Sequence, residues 1–225
     1  MSSNLVFAGT EDYYARYRPD YPPALYEALT AHFALDGSGR LLDLGAGTGH
    51  VALALRDRFE GVDGVDMSTA MLAYARQDAA DRGVTDIDWH ESTAEDFQAA
   101  AGVYRLVTIG NAVHWMDGDG VLARCHQWVQ AGGGVALLDM PGLWNPDMGI
   151  GDEPWIAALS EVVRRHLGLF KQRRHQAVAL PAMLSAFTHG VDAWIEGLHG
   201  IVDHDTGLAM QACRLGQGDV GTDTR

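Results

Sequence analysis

The chain has 225 residues, 47% of them hydrophobic and 20% charged, the balance of an ordinary globular protein able to bury a core. Its 16 Lys and Arg stand against 30 Asp and Glu, and a formal charge of −14 repels phosphate backbones, which argues against DNA or RNA as a partner. Cys125 and Cys213 form no CxxC pattern and no apolar run nears the roughly 20 residues needed to span a bilayer, so neither a cysteine-based metal centre nor a membrane segment is expected.

Residues 1–23 are polar and rich in tyrosine, and Pro19, Pro22 and Pro23 forbid one continuous helix through them. The opening MSSNLVFAGTEDYY has no basic region followed by an apolar core. No signal peptide is therefore expected, and the expected location is the cytoplasm. PPALYEALTAHF reads as a helix with prolines in its first turn and Leu25, Leu29 and Phe33 on one face. RLLDLG reads as a buried strand, and TGHVALALRDRF as a helix with Val51, Leu55 and Phe59 inward. GVDGVDMS is a second strand and turn. STAMLAYARQDAADRG is a helix capped at Ser68 or Thr69 and stopped at Gly83. TDIDWHES and VYRLVTIGNAVHW supply a third and a fourth strand, DGVLARCHQWVQAGG a helix ended by its glycines, and GVALLDM a fifth strand. This alternation predicts an α/β fold, a mostly parallel sheet with helices on both faces.

After Met140 the pattern changes. PGLWNPDMGIGDEPW reads as a loop, IAALSEVVRRHLGLF as an amphipathic helix, and LGQGDVGTDTR as a polar, glycine-rich tail that frays. Arg164, Arg165, Lys171, Arg173 and Arg174 form a basic cluster, read either as a solvated helix face or as recognition of an anionic substrate. In HGIVDH, the spacing of five between His199 and His204 does not suit one helical face, so it reads as a loop cluster and no metal is expected.

The strongest motif is LLDLGAGTGH, residues 41–50, where a strand runs into Gly45, Ala46, Gly47 and Gly49 and a helix follows. Such a loop lets backbone N–H groups approach a ligand closely. A dinucleotide fingerprint needs a small sixth residue, but here that position is His50. An acid, Asp43, also precedes the glycines. A pyrophosphate is repelled by that carboxylate, whereas the ammonium and sulfonium of S-adenosylmethionine are not, so the pattern suits that cofactor. Asp66, at the end of the second strand, is placed to accept both ribose hydroxyls, with Asp63 as competitor; the apolar spacing of Val62 and Val65 favours Asp66. Met67 can pack on the adenine face. Ala94 and Glu95, in STAEDF, stand where an adenine edge would be read, with Asp96 equally close in sequence, although Ser92 or Thr93 with the following acids also reads as a capping box.

LLDLGAGTGH, GVDMSTAMLAYAR, STAEDF, LVTIGNAVHWMD and the lead-in YRPDYPPALYEAL together resemble the class I S-adenosylmethionine-dependent methyltransferase superfamily. The nearest branch is the small-molecule one that includes trans-aconitate-methyltransferase-like and natural-product enzymes. The resemblance covers about residues 13–140. It implies a Rossmann-like fold with a small helical cap, strand order 3-2-1-4-5 with further strands beyond. The whole chain would be one domain: a lead-in and helix over 1–35, a cofactor-binding core over 36–140, and a cap with an irregular C-terminal part over 141–225. Gly45, Gly47 and Gly49 would pass under the methionyl chain, Asn111 would lie beside it, and Tyr14 and Arg18 would fold over the cofactor, Arg18 toward its carboxylate. NAVHW lacks the Pro-Pro-aromatic sequence of adenine and glutamine methylases, which argues against those substrates.

Methyl transfer is an in-line displacement with a good neutral leaving group, so positioning and desolvation supply much of the catalysis. Oxygen and nitrogen nucleophiles can also need a base. His114, just past the fourth strand, is the candidate, either as base or as a residue that shapes the pocket. Trp115 reads as pocket lining, and Tyr21, with Tyr13 and Tyr17, reads either as a gate over the substrate or as surface tyrosines of a mobile lead-in. The expected reaction is methylation of a small molecule without nucleic acid or membrane. The competing reaction is a non-methylating one, such as cyclisation, on the same cofactor. The sequence leaves the oligomeric state open, a homodimer included.

Overall fold

Leu41, Leu42 and Leu44 follow one another in RLLDL and are all fully buried, a pattern possible only for a strand covered on both faces. The computed structural model describes residues 11–18, 20–139, 195–203 and 208–215. The expected cap helix, the basic cluster, His204 and the polar tail from residue 216 lie outside them. In chain order the elements are α1 (Glu11–Tyr17), α2 (Pro23–His32), β1 (Arg40–Leu44), α3 (His50–Leu55), β2 (Gly61–Asp66), α4 (Thr69–Asp81), β3 (Ile87–Glu91), β4 (Tyr104–Gly110), α5 (Gly118–Trp128), β5 (Val129–Asp139), β6 (Ile195–Asp203) and β7 (Leu208–Leu215). They build one seven-stranded sheet in the order β3-β2-β1-β4-β5-β7-β6. The first five strands are parallel, and β7 runs antiparallel to both of its neighbours. The expected 3-2-1-4-5 order is thus present, and β6 and β7 are the strands beyond it.

Alternate residues of each strand serve opposite faces. Leu41, Leu106, Ala136 and Leu138 join Leu25, Leu29 and Phe33 of the α2 segment and Val51 and Leu55 of α3 in one cluster. Leu42, Val107, Ile109, Val135 and Leu137 join Val121, Leu122, Cys125 and Trp128 of α5 in the other. Each fully covered leucine contributes about 1.5–3 kcal/mol of transfer free energy. Among the described residues, no helix is long and apolar enough to cross a membrane.

Element boundaries follow local chemistry. α2 opens at Pro23, with extended Pro22 before it. α4 is capped by Ser68, whose Oγ accepts the Met71 N–H at 3.3 Å, and Gly83 ends the segment at φ +71°. Three expectations change. α3 stops at Leu55 and a 3-10 turn, Arg56–Arg58, carries the chain to buried Phe59. α5 ends at Trp128 rather than at the glycines, and β5 already begins at Val129. There the register against β4 shifts between Tyr104 and Leu106, Gly132 adopts φ +78°, and a Cβ on Gly133 would lie 2.5 Å from the Arg105 carbonyl oxygen. The glycines therefore make a bulge inside a strand instead of a helix stop. His199 and Asp203 belong to β6, not to a loop.

The order reverses between β1 and β4, the switch point where α/β sheets leave a crevice at their carboxyl ends. The glycine loop after β1 and the turn after β4 border that crevice.

Candidate cofactor and active site

The loop after β1 is held by backbone geometry that glycine alone allows. Gly45 has φ +68°, and a Cβ there would meet the Ala112 Cβ at 2.5 Å, so the β4 turn rests directly on the loop. Gly49 has φ +86°, and its Cβ would meet the Trp89 ring at 2.8 Å. The Ala46 N–H donates to the Val65 carbonyl at 2.9 Å, which ties the loop to the end of β2. The Gly47 N–H donates to Asp66 Oδ2 at 2.8 Å, and the Ser68 N–H to Asp66 Oδ1 at 2.8 Å. Burial raises the Asp66 carboxyl above its usual range, and these two N–H groups pull it back. Each oxygen keeps a further lone pair, so Asp66 can still accept from a ligand. Met67 follows it, half-buried, before the Ser68 cap.

Asp63 is occupied elsewhere. It lies within β2, buried, with Oδ2 accepting from Arg40 at 2.8 Å and Oδ1 paired with His90 at 2.7 Å. Asp66, at the strand end, is the acid beside the glycine loop.

Asp43 is 1% exposed. Thr108 donates its hydroxyl to Oδ1 at 2.8 Å, while Oδ2 has no hydrogen-bond partner among the described residues. Burial pushes this carboxyl up to about 7, against the opposing pull of the Thr108 hydroxyl and of the Ala52 N–H, which lies nearby without hydrogen-bond geometry. It lines a cleft together with Gly47, His50, Tyr14, Arg18 and Tyr21. The last three come from the lead-in. The Arg18 guanidinium lies 5.2 Å from the Tyr14 ring centroid and 5.6 Å from that of Tyr21, and it donates to the Tyr21 hydroxyl at 3.2 Å. Tyr21 in turn donates to the Leu138 carbonyl at 3.4 Å, and burial raises its phenol. Tyr13 and Tyr17 stack on each other on the exposed side of α1, away from this cleft's lining.

Across the crevice, β4 ends at Gly110 and the chain reverses at Asn111, which holds φ +50° and donates its N–H to the Leu138 carbonyl at 2.7 Å. Asn tolerates that left-handed conformation better than most residues. The following 3-10 turn, Val113–Trp115, carries the His114 backbone and half-buried Trp115. Ala94 is buried, and its carbonyl accepts from Arg124 at 2.9 Å. Glu95 Oε1 accepts the Asp117 N–H at 2.7 Å, at the start of α5. Thr93 Oγ1 accepts the Asp96 N–H at 3.0 Å, so the capping-box contact forms at a turn with no helix after it.

Residues 41–133 match the family described as a methyltransferase domain. Over this stretch the chain is a methyltransferase domain of the class I type. The ubiquinone biosynthesis O-methyltransferase of Pseudomonas aeruginosa is 35% identical over 100 residues, 44% of this chain and 43% of that protein. An uncharacterized methyltransferase of Mycobacterium tuberculosis is 30% identical over 163 residues, 72% of this chain and 60% of that protein. The chain thus spans between two fifths and three fifths of these curated relatives' length. A SAM-dependent methyltransferase from Aquifex aeolicus superposes with a TM-score of 0.59 at 13% identity over 91% of this chain and 97% of that one, which shows the fold.

S-adenosylmethionine is the cofactor of this superfamily, and the site's own chemistry suits it. Among the described residues, two of the cleft lining carry buried polar atoms with no partner, Asp43 Oδ2 and His50 Nε2, and both can accept hydrogen bonds from a cationic ligand end. Arg18, the one Arg or Lys of the cleft lining among the described residues, suits a carboxylate. An anionic pyrophosphate would instead meet Asp43 directly. The sequence motif marked Asp43 but not its partner Thr108, which is 65 residues away. His50 was noticeable only as a large residue in a glycine motif, and Asp20, which holds it, carried no signal at all.

Proposed function

We propose that this methyltransferase-superfamily chain transfers the methyl group of S-adenosylmethionine to a small molecule. The observation that carries the reading is the buried Asp43 carboxyl, with Oδ2 unpartnered, in a cleft roofed by Arg18, Tyr14 and Tyr21. Asp43 would hold the methionyl ammonium, Arg18 the methionyl carboxylate, and Asp66 the ribose hydroxyls. Met67 and the Ala94–Glu95 turn would meet adenine, and Asn111 would border the methionyl chain. The bound cofactor supplies a methyl group on a positively charged sulfur that departs as a neutral thioether. The chain's own part is to orient that methyl, exclude water with the tyrosine-rich lead-in, and take a proton where the nucleophile carries one.

His114 is proposed for that last role, since its turn follows Asn111 at the carboxyl end of β4. Trp115 on the same turn and Tyr21 of the lead-in would line the substrate side. A formal charge of −14 supports a small molecule over nucleic acid, and the named O-methyltransferase relative makes an oxygen nucleophile the first class to assay. The test is titration with S-adenosylhomocysteine and with NADH, followed by turnover with phenolic and carboxylic acceptors. Binding of the first ligand only, with S-adenosylhomocysteine formed in step with methylated product, is the expected result. Product without S-adenosylhomocysteine would mark a non-methylating reaction, and tighter binding of NADH would end the reading.

A further inference from the structure

His50 opens α3 directly behind the left-handed Gly49. Its Nδ1 lies 2.8 Å from Oδ1 of Asp20, a residue of the lead-in whose side chain is 83% exposed. Its Nε2 is buried, has no hydrogen-bond partner among the described residues, and belongs to a residue lining the same cleft as Asp43 and Arg18. A buried ring nitrogen without a partner costs free energy unless a ligand supplies one. The tautomer follows from the pair: a carboxylate can only accept, so Nδ1 carries the proton toward Asp20 and Nε2 of that tautomer is an acceptor. The cleft then offers two unpartnered acceptors, Asp43 Oδ2 and His50 Nε2, to a ligand group with several N–H donors.

We propose that His50 is a cofactor-binding residue, its Nε2 accepting an N–H of the methionyl ammonium while Asp20 fixes its tautomer and ties the lead-in to the occupied cleft. This assignment rests on the S-adenosylmethionine reading above. His50 touches the ligand, and Asp20 is a positioning residue that acts through it. The same imidazole links the glycine loop to the segment carrying Arg18 and Tyr21, so the groups around the two charged ends of the methionyl chain are held in one register.

The test compares three ligands by calorimetry: S-adenosylhomocysteine, its analogue lacking the α-amino group, and its analogue lacking the carboxylate. His50→Leu should weaken the first and third by about tenfold, the scale of one hydrogen bond to a charged group, and leave the amino-free analogue within about twofold. His50→Gln, which keeps an acceptor, should recover most of that loss. Asp20→Ala leaves the ring in place, releases its tautomer, and should show a smaller loss with the same amino-group selectivity. Equal weakening of all three ligands by Asp20→Ala or His50→Leu would make the pair merely structural and overturn the proposal. A loss that disappears only when the carboxylate is missing would overturn it too, because Nε2 would then be a donor. Wild-type protein that binds none of the ligands would refute the cofactor reading itself. Wild-type binding with unchanged affinity in His50→Leu would refute His50 alone.

Discussion

Asp43→Asn should make the ligand-free protein more stable and the cofactor complex weaker. The carboxyl sits fully buried with one oxygen unpartnered, and burial lifts it from 3.8 to about 7. At about 1.4 kcal/mol per pH unit, ionised Asp43 destabilises the fold by about 4 kcal/mol relative to its protonated form. Asparagine keeps an oxygen for the Thr108 hydroxyl and has no charge to desolvate. Its buried NH2 would itself lack a partner, which costs about 1–2 kcal/mol. The net gain above pH 7 is therefore about 2–3 kcal/mol, or about 5–10 °C in Tm for a chain of this size. The pH course gives the sign. Below pH 4 the carboxyl is protonated whether folded or unfolded, and the two proteins should differ little. Between about 4 and 7 the unfolded chain has released this proton and the folded chain has not, so wild-type stability falls relative to the variant as pH rises. Above 7 the gap is constant. Denaturant titrations of both proteins at pH 5 and 8 measure it, and groups common to both cancel in the difference. Calorimetry at pH 8 should show S-adenosylhomocysteine binding weakened by about 10–100-fold through loss of a charge-assisted hydrogen bond. Wild-type affinity should rise toward pH 7, and the variant should lack that rise. A variant less stable than wild type at pH 8, or a stability gap equal at pH 5 and 8, would refute this account of Asp43.

Other substitutions separate ligand contacts from scaffold. Asp66→Ala should weaken S-adenosylhomocysteine binding by about 1.5–3 kcal/mol, whereas Asp63→Ala should leave affinity nearly unchanged and lower stability by about 2 kcal/mol, because it removes the buried partner of His90 and leaves Arg40 only the exposed Asp88; calorimetry and denaturant melts decide between them. Gly45→Ala combines a positive φ with a 2.5 Å approach to Ala112, so it should cost about 2–4 kcal/mol and lower Tm, and an unchanged melt would show the loop to be less tightly packed. His114→Ala should reduce kcat by about 10²–10⁴-fold, with cofactor affinity retained, if the residue is the base; a change confined to KM would assign it to pocket shape.

Sequence by itself determined the features that neighbouring residues encode. Hydrophobic spacing in RLLDL, GVDGVD and YRLVTIG marked the strands, since periodicity follows from how a strand alternates its side chains or buries both faces. The glycines of residues 45–49 announced a backbone that a Cβ would obstruct, and the spacing of Val62 and Val65 pointed to Asp66 over Asp63. Tertiary structure alone decided what depends on partners distant in sequence. Asp43 owes its raised carboxyl to burial between β2 and β4, which outweighs the hydrogen bond from Thr108, and Asp63 is absorbed by Arg40 and His90 from the strands on either side. Gly132 and Gly133, a plausible helix stop by composition, are taken into β5 because β4 offers a ladder to pair with. β6 and β7 extend the sheet by antiparallel pairing that no local motif announced. Asp20 and His50 meet across 30 residues, and the ring keeps a buried Nε2 that has no hydrogen-bond partner among the described residues. Local backbone preferences are written residue by residue, but desolvation and hydrogen-bond supply are properties of the space a residue comes to occupy.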